Sequence, residues 1–521
     1  MATKPQVVVI GLDGATYVQL LPMIEAGKLP SFARLMEEGT WGALESTNPP
    51  TTPPAWSTML TGVNPGKHGI YDFRLTPHAS PERPLIDLGK MKSIKVWEAL
   101  ERLGKTSGFL NVPVMYPPVP LKGWMVSGMM APSTEAAFTY PEDLKDELLS
   151  AFPGYVTDVD IPRYDNTFWD DISVFLDDVE TCTSRHVEAF FHLWDNRPTD
   201  FLMAVFIATD RIGHLLWKFL DPRYPQHAEA LGRQVRDRVS KIYDSLDVLL
   251  AEALERVSRD GGMLVVMSDH GFGATDGFFN ANRLLEQMGL LRMKQDVAFK
   301  KRMFYRAWKI GDSKLVTSVL PKGMQRDMRN KIRRGRSSFL NDVEPFLDFD
   351  RTSAFYASIP CHGYFIRRNG PGAVVRDEKA AQEIRERIKR ALDELKHPDG
   401  GKMVTAIWDR EEIYKGPMVQ YAPEVVFSVR DYSIVARPLL GATDLFRPTP
   451  AQPNGFHRKD GIVMLWGEGI PARKLSEAYM VDITPTIIDR MGLPMPPVVE
   501  GKSLLKAPQG AGGASAEDGQ T

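Results

Sequence analysis

Three aspartates and three histidines stand in four short stretches of the chain. They are Asp13 in "GLDG", Asp210 and His214 in "ATDRIGH", Asp269 and His270 in "SDHGFG", and His457 in "NGFHRKDG". Asp210 and His214 are four residues apart, which on a helical turn puts both side chains on one face. Together the six make a mixed oxygen and nitrogen donor set. Two divalent metals of the zinc or manganese kind suit it better than calcium or magnesium, which prefer oxygen alone. A fifth stretch, "NPPTTPPAWSTMLTG" at residues 48–62, offers hydroxyls instead. Its prolines exclude a helix interior or a paired strand at its start. An apolar, helix-compatible run follows, so Thr51 or Thr52 could also serve as an N-cap.

These residues need elements to position them. Buried-strand candidates are 6–10 ("QVVVI"), 106–111, 200–207, 262–267 and 461–466, rich in β-branched and other apolar residues. Helical patterns cover 31–38, 171–195 and 227–258. Strands alternating with helices predict an α/β fold with a mostly parallel sheet. Ligands of such sheets bind beyond the C-terminal strand ends. Asp13, Asp210 and Asp269-His270 each follow a predicted strand, and His457 precedes one in a Gly-flanked loop.

The 521 residues are 43% apolar and 25% charged, as in soluble globular proteins, and the net charge of −2 argues against binding nucleic acid with the whole surface. Two cysteines, Cys182 and Cys361, cannot build a disulfide framework, so a reducing compartment is expected. The start, "MATKPQVVVIGLDG", lacks signal-peptide character, and no apolar run approaches the roughly 20 residues of a membrane span. A cytoplasmic location is the expectation. Residues 1–505 are read as one catalytic domain. It includes a basic helical insertion or cap over 292–345, whose segment 292–336 holds fifteen Lys/Arg against three Asp/Glu with interleaved aromatics. This segment could cover the pocket or touch an anionic surface. The Gly/Ala/Ser-rich tail, 506–521, is expected to be disordered. Among the other histidines, His78, His227 and His397 read as surface residues, and His186 and His192 as surface or core positions on a helix. His68 and His362 remain possible supporting or substrate-facing groups.

The ordered motifs "VVVIGLDG", "TTPPAWSTMLTG…PGKHGI", "FIATDRIGH", "VVMSDHGFG", "NGFHRKDGIVMLWG" and "VDITPTIIDRMGLPMPPVVEGKSL" span nearly the whole chain. In them the sequence resembles the alkaline phosphatase superfamily, and within it the type I phosphodiesterase/nucleotide pyrophosphatase family. The resemblance implies a three-layer α/β/α sandwich with a central, mostly parallel sheet, and a two-metal hydrolase acting on a small phosphorylated substrate. It places the nucleophile on Thr52 rather than Thr51, counted back from Thr61-Gly62. It also implies one metal on Asp13, Thr52, Asp269 and His270, and a second on Asp210, His214 and His457, with zinc expected and manganese an option. The phosphoryl group would pass through a phosphothreonine, favoured by a helix N-terminus if 54–61 is helical. Lys67, Arg211, Asn454 and Arg458 lie near ligands in sequence and are candidates for contacting substrate. Neither cysteine has the x-Pro-x-Arg context of sulfatases. The metal ligands leave phosphodiester or pyrophosphate cleavage and phosphomonoester cleavage both open, with a non-catalytic phosphate-ligand-binding protein as a third reading.

Overall fold

A computed structural model describes residues 4–164, 167–311, 343–368, 373–449 and 454–506. A nine-stranded sheet runs through it in the order Arg473–Lys474, Thr40–Glu45, Asp460–Gly467, Met263–Met267, Val7–Leu12, Phe201–Phe206, Ser107–Val112, Gly123–Ser127 and Thr139–Tyr140. Val7–Leu12 is paired in parallel on both sides, so neither face nor edge of it meets water. That is why the run is continuously apolar rather than alternating. Its side chains still alternate between faces: Val8, Ile10 and Leu12 enter one core, Val7 and Val9 the other.

The first core packs helices Pro30–Glu38, Trp169–Asn196, Ala208–Leu220 and Ala230–Asp260. The second packs Thr52–Thr61, Val96–Arg102 and Ile483–Arg490. The result is an α/β/α sandwich. Asp460–Gly467 runs antiparallel to Met263–Met267. This reversal is what the site requires, because residues entering that strand then lie at the sheet edge where its parallel neighbours end.

The proline-rich stretch becomes a helix start. Thr51 is extended (φ −137°, ψ 149°), and the helix opens at Thr52 with prolines in its first turn, where a missing N–H is tolerated. Thr51 occupies the N-cap position without a side-chain capping bond. Gly62 ends the helix at φ 65°, in the left-handed region that glycine enters without strain.

A smaller lobe has its own core. It contains an antiparallel sheet of Ala354–Tyr356, Gly363–Ile366, Val425–Val429 and Val404–Asp409, backed by helix Glu378–Asp393. Helix Gln295–Gly311 forms most of the described part of the basic segment; residues 312–342 lie outside the described residues, as do 507–521 of the tail. No described helix is long and apolar enough to cross a membrane.

Candidate active site

Asp13 leaves the end of Val7–Leu12, and Asp210 sits in the first turn of the helix that follows Phe201–Phe206. Asp269 and His270 leave Met263–Met267 and enter the short strand Gly271–Ala274, which pairs antiparallel with Gly455–Arg458. That ribbon sets His457 opposite Phe272 and lays its ring on His270, with centroids 3.7 Å apart. Thr52 arrives from the opposite face of the sheet on its helix.

The six ligand candidates and Thr52 meet in one cluster, buried except for the half-buried His214. The Nε2 of His270 lies 3.3 Å from Asp269 Oδ2, 3.7 Å from Asp13 Oδ1 and 3.3 Å from Thr52 Oγ1. The Nε2 of His457 lies 3.5 Å from Asp210 Oδ1 and 2.9 Å from His214 Nε2, which is itself 3.3 Å from Asp210 Oδ1. Donor atoms of Asp13, Asp269 and His270 group together, and so do those of Asp210, His270 and His457. His270 thus stands between both groups, whereas the motif reading gave it to one; its stacking on His457 brings it there.

The ring orientations are set from behind. His270 Nδ1 donates to the carbonyl of Gly271 (3.1 Å) and His457 Nδ1 to that of Pro50 (3.0 Å). Each Nε2 therefore presents a lone pair to the cluster, the arrangement that metal-binding imidazoles need. Trp56 Nε1 holds Asp13 Oδ2 at 3.2 Å, and the N–H of Gly14 holds Asp269 Oδ1 at 3.2 Å. The opposite oxygens, Asp13 Oδ1, Asp210 Oδ1 and Asp269 Oδ2, are buried without a hydrogen-bond donor. Buried anionic oxygens left in this way are strongly disfavoured unless a cation meets them. The mixed oxygen and nitrogen donor set and these orphaned oxygens fit divalent metal cations.

The family profile of the type I phosphodiesterases/nucleotide pyrophosphatases matches residues 7–457, from the first strand to the last histidine of the cluster. The chain belongs to that family. Among solved structures it is similar to human ectonucleotide pyrophosphatase/phosphodiesterase 5, at 13% identity and TM-score 0.51, covering 95% of this chain and 97% of that one. It is also similar to a mutant of alkaline phosphatase PafA, at 14% identity and TM-score 0.53, covering 97% and 99%. These likenesses show the alkaline phosphatase-like fold. No curated protein matches the chain. Family membership makes it a phosphoester hydrolase of a metal-dependent superfamily.

The electrostatics of this phosphodiesterase-type site follow from burial. Asp13 is pushed up to about 8 by desolvation, with the charge of Asp210 adding to it. Asp269 is driven well above the carboxylate range by burial and then by Asp13 and Asp210. Burial also raises Asp210, but the neighbouring His214 and Arg211 outweigh it and hold the carboxyl well below its usual range. His270 and His457 are kept neutral, first by burial. A protein-only cluster thus repels its own negative charge and keeps imidazoles in the form that ligates metals.

The residues expected to contact substrate have other partners. Arg211 binds Asp158 through Nε and Nη2 (2.9 and 2.8 Å) and reaches Asp210 through Nη1, so it orients a ligand from behind. Arg458 is turned away from the cluster by strand alternation and donates to the carbonyls of Tyr432, His457 and Ala274. Lys67 pairs with Glu500 at 2.8 Å, and Asn454 is exposed. His68 donates to Thr58 Oγ1 (2.9 Å) and accepts from the N–H of Ile70, a buried structural role. His78 is half-buried and bonds to buried Glu424 at 3.0 Å. His362 is buried with neither ring nitrogen bonded, its ring 4.9 Å from Tyr432 and 6.4 Å from Phe456, which stacks on His457. Sequence reading missed Asp158 and Trp56. Trp56 lay inside the quoted motif and could have been singled out, whereas nothing marks Asp158 before the fold brings it to Arg211.

Proposed function

We propose that the protein is a two-metal phosphohydrolase. It cleaves phosphodiester or pyrophosphate bonds in a small phosphorylated substrate through covalent attack by Thr52. The observation that carries this reading is the position of Thr52 Oγ1, 3.3 Å from the Nε2 of the histidine common to both donor groups. Thr51 Oγ1 is equally buried and bonded to no other group in the described structure, but it does not join the cluster.

Asp13, Asp269, His270 and Thr52 would hold one cation, and Asp210, His214 and His457 the other, with His270 facing both. Two divalent cations, when bound, lower the pKa of a coordinated hydroxyl and neutralise charge on phosphoryl and leaving oxygens. Thr52 Oγ forms a bond to phosphorus as its proton is lost to solvent and the bond to the leaving oxygen breaks. Water then attacks phosphorus, the Thr52 Oγ–P bond breaks, and Thr52 recovers a proton. The helix start keeps this hydroxyl fixed while the phosphoryl group comes and goes. Backbone donors give little help, because Pro53 and Pro54 have no N–H. That places the burden of anion binding on the cations and the helix dipole. Cys182 and Cys361, both buried and unpaired, fit a reducing, cytoplasmic setting.

The test compares bis-p-nitrophenyl phosphate with p-nitrophenyl phosphate on protein loaded with zinc or manganese. Preference for the diester is expected. Preference for the monoester would shift the reading to a phosphomonoesterase, and inertness toward both, with no bound metal, would overturn it.

A further inference from the structure

A cavity of about 450 Å³ opens in the smaller lobe; no residue of the metal cluster lines it, and its polar lining is mostly arginine. Arg283 and Glu286 come from helix Ala281–Gln287, Arg302 from helix Gln295–Gly311, Arg351 from the turn Phe349–Arg351, and Arg292 from the link between the first two. One continuous stretch, from Arg283 to Arg302, thus meets Arg351, about fifty residues further on, around one concavity. Its size lies within the roughly 300–1,000 Å³ typical of small-ligand sites.

One carboxylate faces the four guanidinium groups: Glu286 lies 3.1 Å from Arg283 Nη1, and its charge is also felt by Arg302 and Arg292, which leaves the lining net positive. Arg292, Arg302 and Arg351 have no ion pair and no side-chain hydrogen bond among the described residues. Like charges gathered around a hollow repel one another, and an entering anion relieves that repulsion. The planar guanidinium fork matches two oxygens of a phosphate at once. Leu291, Met293, Ala298 and Phe299 supply an apolar flank to the same cavity, and Phe299 is 73% exposed. A large exposed aromatic ring at the rim of a cationic hollow suits a ligand with an organic part beside its charge.

We propose that this pocket is a second ligand site, which takes an organic phosphate: a phosphate monoester group on the arginines with its organic part against Phe299. A soluble phosphorylated metabolite and the head group of an acidic phospholipid share this chemistry. The arginines surround one open hollow instead of forming a stripe along a face, and a stripe is the arrangement that suits nucleic acid.

The experiment uses the full-length, metal-loaded protein and two charge-matched variants. One is Arg302→Ala/Arg351→Ala, which strips the pocket. The other is Lys300→Ala/Arg306→Ala, which removes the same charge from the same helix outside the pocket lining. Glycerol 3-phosphate binding is measured by calorimetry, and co-sedimentation is measured with vesicles of phosphatidylcholine containing phosphatidic acid. Binding of either probe that the pocket variant weakens by at least about tenfold, and the control variant leaves alone, is the expected result. Loss confined to glycerol 3-phosphate identifies a soluble ligand, and loss confined to vesicles identifies a lipid. Turnover of p-nitrophenyl substrates stays unchanged in both variants, which separates this site from the metal cluster. Equal weakening in the two variants, no binding of either probe, or a pocket-dependent preference for single-stranded DNA overturns the proposal.

Discussion

At the scale of single residues, the two adjacent threonines separate cleanly. Only Thr52 reaches an imidazole of the donor cluster, at 3.3 Å, while Thr51 lies just outside the helix in extended backbone. Thr52→Ala should lower kcat by about a thousandfold or more, since loss of a covalent nucleophile removes the route itself. Thr51→Ala should stay within about tenfold of wild type, because it breaks no bond of the described structure. Equal losses in the two variants would refute the assignment. Asp13 adds a pH dependence. Its carboxyl, raised to about 8 by burial and by Asp210, holds a proton through neutrality in metal-free protein. A cation must displace that proton, so binding is weak at low pH and strengthens as pH rises toward 8. Below that point affinity should climb by about tenfold per pH unit for each proton released. Zinc titrations in buffers of different ionisation enthalpy would count the proton. The candidate ligands were legible as a group because they sit at strand ends, where polar residues interrupt apolar runs. Their supports were not: Asp158 and the carbonyl of Pro50 matter only through contacts that the fold creates.

Among elements, the first strand and the Thr52 helix meet at a single close approach. A Cβ on Gly11 would stand 2.5 Å from the ring of Trp56 and 2.9 Å from Val205. The same indole holds Asp13, so strand, helix and ligand share one contact. Gly11→Ala should therefore destabilise the protein by about 1–3 kcal/mol in urea unfolding. It should also weaken metal binding, because Trp56 can yield only by releasing Asp13. Unchanged stability and metal affinity would show that the indole moves freely. Strand positions were readable from their β-branched and apolar runs, and the observed Val7–Leu12, Phe201–Phe206 and Met263–Met267 fall within two residues of the expected bounds. The direction of Asp460–Gly467 was not readable. An apolar run looks the same in either orientation, and pairing with Thr40–Glu45 and Met263–Met267 decides it.

Over the whole molecule, the smaller lobe buttresses the site, and none of its described residues joins the donor groups. Tyr414 gives its hydroxyl to the carbonyl of Asn48, and Tyr432 gives its own to Asn48 Oδ1 at 3.1 Å. From the other side, His457 anchors the carbonyl of Pro50. The segment that delivers Thr52 is thus held between the two lobes, and Arg458 ties them further by donating to the carbonyl of Tyr432 at 2.7 Å. None of this could be read from sequence, since both tyrosines lie more than three hundred residues from Asn48. Tyr432→Phe tests the arrangement because it removes one hydroxyl and leaves the buried ring in place. Stability should fall by about 1 kcal/mol, the usual worth of one hydrogen bond. Metal stoichiometry should not change, because the ligands and their supports are intact. If the tyrosine fixes the angle at which Thr52 meets phosphorus, kcat should drop by about tenfold with little change in KM, as expected for lost orientation rather than lost binding. A variant with normal kcat would show that His457 and the prolines hold the segment without help from the second lobe.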